Sequence, residues 1–500
     1  MIFAFEKDVG QKQFCFCSAS FFVAFFMGKY SVSAQKRLTS HGLCGIITVV
    51  YCVNLKLYYN IISHLIFTAK GVVMETLDLG RLKKQKLLII LCCLVYGFAY
   101  AGRYSYSANI DPLKLYYGIS NEAAGSVSTF FFISYGLGQL LNALFCKYYP
   151  KRYVVAGALG ISAVINLSLF FLPPFEYVKY LWLLNGVCQS VLWPSLMLTI
   201  GEVVDPSLTK RAVLTMSFSV VLGTVLAYGG SSLFNLFESP TSFRYAFLLG
   251  VVFPALIGVV WLLSYNTLTK VKYQAVPSAT SAAETKQNEP SGKRAMIRSM
   301  VGLLAVCAVF AAVDNFVKDG LNTWTPVILG DQFGFDESKS IILTLVLPIF
   351  GVFGSVTAMN ANKILKDFRG LIGAFYLVLS LCLLGVTWAF GADNAFMTLV
   401  FFGLISLLTH GINSVLTSIM PLALRDRVNS GFLSGLMNAC CYVGSAASAY
   451  GLGKMADGES WDFVIRVLMV ACAAATILAG AVMLLMVIRS KKTVDGGNEI

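Results

Sequence analysis

Charge is what this sequence has least of: Asp, Glu, Lys and Arg supply 13% of its 500 residues, against roughly 25% in soluble globular domains. Hydrophobic residues supply 57%, and the charges cluster, leaving long uncharged stretches between them. A soluble fold is excluded. Histidine is nearly absent, with 3 in all, and only His410 lies beyond position 64. The 13 cysteines contain no CxxC pair and no Cys/His ligand spacing, so no metal centre, and no cofactor of any kind, is expected. Those beyond position 73 fall in apolar runs or at their edges and read as small buried hydrophobes. Missing too are the glycine loop that cradles nucleotide phosphates and any paired catalytic constellation. An enzyme or an ATP-driven pump is therefore not expected.

What is present is apolar sequence in lengths that suit a bilayer, whose hydrocarbon core of about 30 Å takes roughly 20 residues as a helix. Such runs are Ala123–Cys146, Tyr153–Phe175, Tyr180–Gly201, Ala212–Phe237, Tyr245–Thr269, Ser340–Asn362, Gly370–Ala392, Asn394–Leu424 and Val428–Gly453. Three more, beginning at Leu87, Met300 and Phe463, each contain an ionisable residue. The expectation is an all-α membrane protein of twelve spans.

The net charge of +13 sorts by side. If loops alternate, one side holds Arg81 to Lys86, Lys147 to Arg152, Lys210, Arg211, the interval Lys270–Arg298, Lys363 to Arg369, Arg425, Arg427 and Arg489 to Lys492. The other holds only Lys114, Lys179, Arg244, Lys339 and Lys454. The positive-inside rule places both termini in the cytoplasm, with the chain in the plasma (inner) membrane. The excess charge is thus a topology signal and no nucleic-acid footprint. The lipid bilayer is the expected surroundings, and the chain is expected to be a monomer.

Residues 1–73 read differently: short hydrophobic pieces, rich in cysteine and separated by basic residues. The codons of Lys70-Gly71-Val72 can spell a purine-rich ribosome-binding sequence, and Met74 opens a natural cytoplasmic lead-in to the first span. Translation is expected to start at Met74, the alternative being a genuine extension with further membrane segments.

The polar interval 270–298, low in bulky apolar residues, divides the spans into halves, 74–269 and 299–488, with a tail at 489–500. The halves echo each other. Arg103 late in span one is followed by Gly118-Ile119-Ser120-Asn121-Glu122; Lys318 late in span seven is followed by Gly334-Phe335-Asp336-Glu337-Ser338. In each copy a glycine ends one element, and Ser120 or Asp336 is placed to cap the next helix.

An ionised side chain at mid-membrane costs roughly 2.5–3.5 kcal/mol on insertion scales, so each one there asks for a reason. Arg103 and Lys318 are the two basic residues deep in spans, one per half, and two cations at the interface of the halves could clamp one anion. Arginine suits bidentate binding of phosphate or carboxylate, whereas lysine supplies a point charge. No acidic residue shares the Arg103 face. Lys318 has Asp314 four residues back and Asp319 adjacent, so a structural ion pair competes there with a binding role. Tyr96 and Tyr100 share a helical stripe with Arg103. Arg466, near the end of span twelve, reads as snorkelling.

These residues carry a resemblance. Tyr96-Gly97-Phe98-Ala99-Tyr100-Ala101-Gly102-Arg103 in span one is similar to the tyrosine-x3-tyrosine-x2-arginine pattern of the organophosphate:phosphate antiporters of the major facilitator superfamily. Tyr135 with Gln139, Asn185-Gly186 through Gln189 and Trp193-Pro194, Lys318 through Trp324-Thr325-Pro326, His410-Gly411, and Asn438 to Tyr442-Val443-Gly444 fit that family's spans two, four, seven, ten and eleven. The resemblance implies a major facilitator fold of twelve helices in two six-helix halves, with the site between halves at mid-membrane. It implies a small anionic substrate bound by Arg103, Lys318, Tyr96, Tyr100, Tyr135, Gln139, His410 and Tyr442, with Asn185, Gln189, Trp193 and Asn315 secondary. The sequence departs from the family where Lys318 stands for its second arginine and Gln139 for its span-two lysine, and no span-five histidine is found.

Three functions stay open at this stage. One is exchange of a phosphorylated metabolite against phosphate. Another is proton-coupled transport of some other polar metabolite, with Asp314, Asp319 or His410 carrying the proton. The third is a sensor that keeps the transporter fold.

Overall fold

The computed structural model describes residues 81–237, 239–270, 290–365, 367–424, 428 and 430–495. Residues 1–73 and the expected start at Met74, most of the interval 270–298 and the last five residues of the tail lie outside the described residues.

The described chain is helical, with no strand among its elements. Twelve rods follow one another. The first half has α1 Leu82–Ala108, α2 Asn121–Phe145, α3 Lys151–Phe170, α4 Phe175–Val203, α5 Ser207–Asn235 and α6 Ser242–Thr269. The second has α7 Val301–Phe333, α8 Glu337–Leu365, α9 Phe368–Gly391, α10 Ala395–Ile419, α11 Ser430–Gly458 and α12 Trp461–Leu485. The helix that contains α7 begins at Pro290, inside the interval read as linker. Ten of the rods are long and apolar enough to span a bilayer by composition alone; α2 and α11 are the exceptions. Both carry Gly, Ser and Asn, and α2 also Thr, residues that lower their mean hydropathy.

The repeat expected from sequence is a repeat of packing. In the first half α2 packs on α4, α3 on α6 and α1 on α5; in the second α8 packs on α10, α9 on α12 and α7 on α11. Each pairing recurs six rods later. The links into α2 and α8 repeat in detail. Gly118 and Gly334 both sit in the left-handed region, at φ +64° and +63°, where a residue with a Cβ is strained. Ser120 Oγ then accepts the amide of Ala123 at 3.2 Å, and Asp336 Oδ1 that of Lys339 at 2.8 Å.

The halves meet mainly through α2 and α11, and again through the related pair α5 and α8. Where α2 begins and α11 ends, Thr129 Oγ1 donates to the Ala446 carbonyl at 2.9 Å and the Tyr450 hydroxyl donates to Glu122. Ser232 and Ser338 join α5 to α8 at 2.8 Å, and the Tyr228 hydroxyl donates to the Asn322 carbonyl at 2.7 Å. This end of the interface is shut. Two π-turns, Val225–Gly229 in α5 and Val415–Ile419 in α10, interrupt helices that reach the interface, a deformation often found beside functional sites.

Candidate functional site

A cavity of about 240 Å³ lies between the halves, extending from the shut end past Gln139, Ser434 and Thr417. It is smaller than the roughly 300–1,000 Å³ of drug-sized pockets, so it suits a small ligand.

Its first-half wall is built on Arg103. The side chain is buried, and its guanidinium carbon lies 4.2 Å from the ring centre of Tyr135, 4.7 Å from Phe131, 5.1 Å from Tyr100 and 5.8 Å from Tyr442. Among the described residues no carboxylate pairs with it. Ring faces attract a cation, by up to about 2 kcal/mol each when desolvated, but they do not neutralise it. The rings hold one another: Tyr96 and Tyr135 share a hydroxyl contact at 3.3 Å, Gln139 Nε2 donates to the Tyr135 hydroxyl at 3.0 Å, and Trp193 lies 4.9 Å from Tyr96.

The opposite wall is polar and carries Lys318. Its ammonium stands 3.9 Å from Asp319 Oδ1, a loose ion pair. The other oxygen of Asp319 accepts Ser445 Oγ at 2.5 Å and Asn315 Nδ2 at 3.2 Å. Asn413 in turn donates to Asn315 at 3.3 Å. His410 Nδ1 faces its own helix at the Ser406 carbonyl, 2.8 Å away, and the ring reaches the cavity wall.

The structure thus brings Tyr96, Tyr100, Arg103, Tyr135, Gln139, Trp193, Asn315, Lys318, Asp319, His410 and Tyr442 to one cavity. It does not bring Asn185, Gln189 or Asp314 there. Asn185 and Gln189 stand behind α1, where their side-chain amides donate to the carbonyls of Gly102 and Ala99 at 3.3 Å each, and both meet Ser162. Asn166 adds a 3.1 Å bond to the same Gly102 carbonyl. These three amides hold the turn of α1 that presents Arg103. Asp314 is fully buried with neither carboxylate oxygen hydrogen-bonded, and it forms no ion pair with Lys318. The i,i+4 pair weighed from sequence is not made, because Lys318 turns toward the cavity and its neighbour. Arg466 is bonded to Asp462 at 2.7 Å on an exposed face.

Sequence reasoning left out Tyr104, Asn322, Asn413, Thr417, Ser418 and Ser434, all on the cavity wall, and quoted Asn438 in the span-eleven match without assigning it to the site. Asn322 was within reach, since it continues the stripe of Asn315 and Lys318 by one turn.

Residues 92–449 match the family model described as Major Facilitator Superfamily. The chain belongs to that superfamily. Among curated proteins it is 19% identical to the membrane sensor protein UhpC of Escherichia coli strain K12, covering 79% of this chain and 91% of the relative. It is 20% identical to the glucose-6-phosphate exchanger SLC37A2 of Xenopus laevis, covering 71% and 79%. Among solved structures, a D-xylose-proton symporter superposes with a TM-score of 0.62 at 14% identity, covering 80% of this chain and 97% of that one. As in the major facilitator fold generally, the cavity lies between two repeats.

Proposed function

We propose that this chain is a secondary active transporter that exchanges a small organic anion, a phosphorylated metabolite, for inorganic phosphate by alternating access. The observation that carries this reading is Arg103: a buried cation caged by aromatic faces, with no carboxylate partner among the described residues, on a cavity that also holds Lys318. A cation so placed is costly in a membrane, and an anionic ligand relieves that cost. Tyrosine hydroxyls and asparagine amides around it supply donors for phosphate oxygens and sugar hydroxyls. The name of the Xenopus relative supports a phosphate-ester cargo. The charge pattern of the loops supports a plasma-membrane orientation with both termini cytoplasmic.

The test is counterflow. Purified full-length protein in liposomes preloaded with phosphate is expected to take up a hexose phosphate without a proton gradient. Uptake that requires external acid and collapses with an uncoupler overturns exchange in favour of proton coupling. Saturable ligand binding with no counterflow favours the sensor reading that the Escherichia coli relative's name raises.

A further inference from the structure

The cavity wall carries two cations, yet they are not equivalent. Arg103 faces rings only, whereas Lys318 shares the wall with a carboxylate that the protein has fixed in place. Asp319 receives two donors, Ser445 Oγ and Asn315 Nδ2, on one oxygen, and Lys318 approaches the other. Every partner it has is a donor, which is the coordination of an ionised carboxylate. The wall therefore presents a net single positive charge rather than two.

We infer that Asp319 sets the charge of the cargo: the carrier selects a head group with one negative charge on a hydroxyl-bearing body. Of a phosphate ester it takes the monoanion. This rests on the transport reading above and deepens it. The second wall fits the rest of such a molecule, since Asn322, Asn413, Ser418, Ser434 and Asn438 line it with amides and hydroxyls. A dianion would meet one free cation and a lysine already matched, leaving its second charge unpaired between the halves, an expensive arrangement. The other titratable groups near the pair are Tyr100 and Tyr104 of α1, Tyr228 of α5, His410 of α10, and Cys441 and Tyr442 of α11. Asp314 lies on the same helix as the pair and does not line the cavity.

The experiment compares a hexose 6-phosphate with the corresponding 6-sulfate, which stays a monoanion throughout. Binding to the purified full-length protein is measured from pH 5.5 to 8. The second phosphate pKa is about 6, so the apparent Kd for the 6-phosphate is expected to rise toward tenfold per pH unit above it. The 6-sulfate experiences the same tyrosines and histidine and divides out their titration, so the ratio of the two Kd values carries the result. Asp319→Asn frees Lys318 and is expected to flatten or reverse that ratio, making the dianion the better ligand at pH 8.

A 6-phosphate that binds the native protein equally well at pH 6 and pH 8, relative to the 6-sulfate, overturns the inference and leaves the transport reading standing. A pH dependence unchanged in Asp319→Asn overturns the assignment to Asp319. If neither ester binds at any pH, the anion-carrier reading falls and this inference with it. Should Asp319→Asn fail to fold, the ratio for the native protein still decides.

Discussion

Asp457, near the end of α11, grips the start of α2 across the interface: its two carboxylate oxygens accept the backbone amides of Asn121 at 2.8 Å and Glu122 at 2.7 Å. It thereby satisfies donors that the first turn of a helix cannot bond internally, and it meets the positive end of the helix dipole. The contact exists only while the halves are shut at this end. Asp457→Asn is expected to weaken it by about 1–2 kcal/mol, a shift of about 5–30-fold in the equilibrium between shut and open. The check is a cysteine at Asn322, on the cavity wall: its labelling by an impermeant maleimide from outside the cell should speed up by that factor. Unchanged labelling removes the latch.

Gly125 offers a harder version of the same test. A Cβ there would overlap the Ala449 carbonyl oxygen and lie 3.0 Å from the Trp324 ring. Backbone cannot yield as a flexible side chain does, so Gly125→Ala is expected to wedge α2 from α11. The Asn322 cysteine should then label from outside at a rate insensitive to added substrate, and counterflow should fall to background.

Arg103→Lys replaces a stacked planar fork with a point charge. Loss of the ring contacts and of bidentate binding is expected to weaken apparent affinity by about 1–2 kcal/mol, or 5–30-fold. Expression should be unaffected, as no carboxylate is stranded. Counterflow titrated against substrate concentration measures this directly.

Lys318 can be tested against its two neighbours. Lys318→Arg is expected to be tolerated. Lys318→Gln should abolish transport while the protein still reaches the membrane, because it leaves Asp319 facing the cargo. Since Asp314 makes no ion pair with Lys318, adding Asp314→Asn should restore nothing. Recovery of transport in that double variant would return Lys318 to a purely structural role.

Asn185→Ala examines the brace behind α1. It removes the acceptor for Ser162 and Gln189 and a donor to the Gly102 carbonyl. Unpaired buried polar groups cost about 1–3 kcal/mol, so the unfolding temperature in detergent should drop. The preference between head groups should stay the same, because this side chain does not reach the cavity. A changed preference at unchanged stability would put Asn185 in the site.

The heart of the first wall was legible because Tyr96, Tyr100 and Arg103 lie on one helix. The spacing of Tyr96, Tyr100 and Arg103 fixes a shared face whatever surrounds it, and the glycine and cap pairs that open α2 and α8 are equally local. Which neighbour a face meets is not local. Asn185 and Gln189 could have pointed at substrate or at another helix, and only packing on α1 decides. The second wall draws single amides and hydroxyls from α10 and α11, residues that serve interhelical bonds just as often. For Lys318, helical periodicity favours Asp314. The structure instead pairs it loosely with Asp319, held outward by Ser445 on a different helix. That choice depends on a contact 126 positions away in sequence, beyond the reach of any window.

The ring cage around Arg103 has a consequence for cellular supply. If the chain exchanges anions as proposed, an emptied protein must close around a bare cation before it can turn over, and that closure is expected to be slower than closure around a passenger. On the exchange reading each crossing then needs a rider, so the two compartments would trade one for one and the stock on either side would keep its size. What an existing gradient would then drive is the proportion of each species held, so the cell could change the makeup of its anion pool without enlarging it.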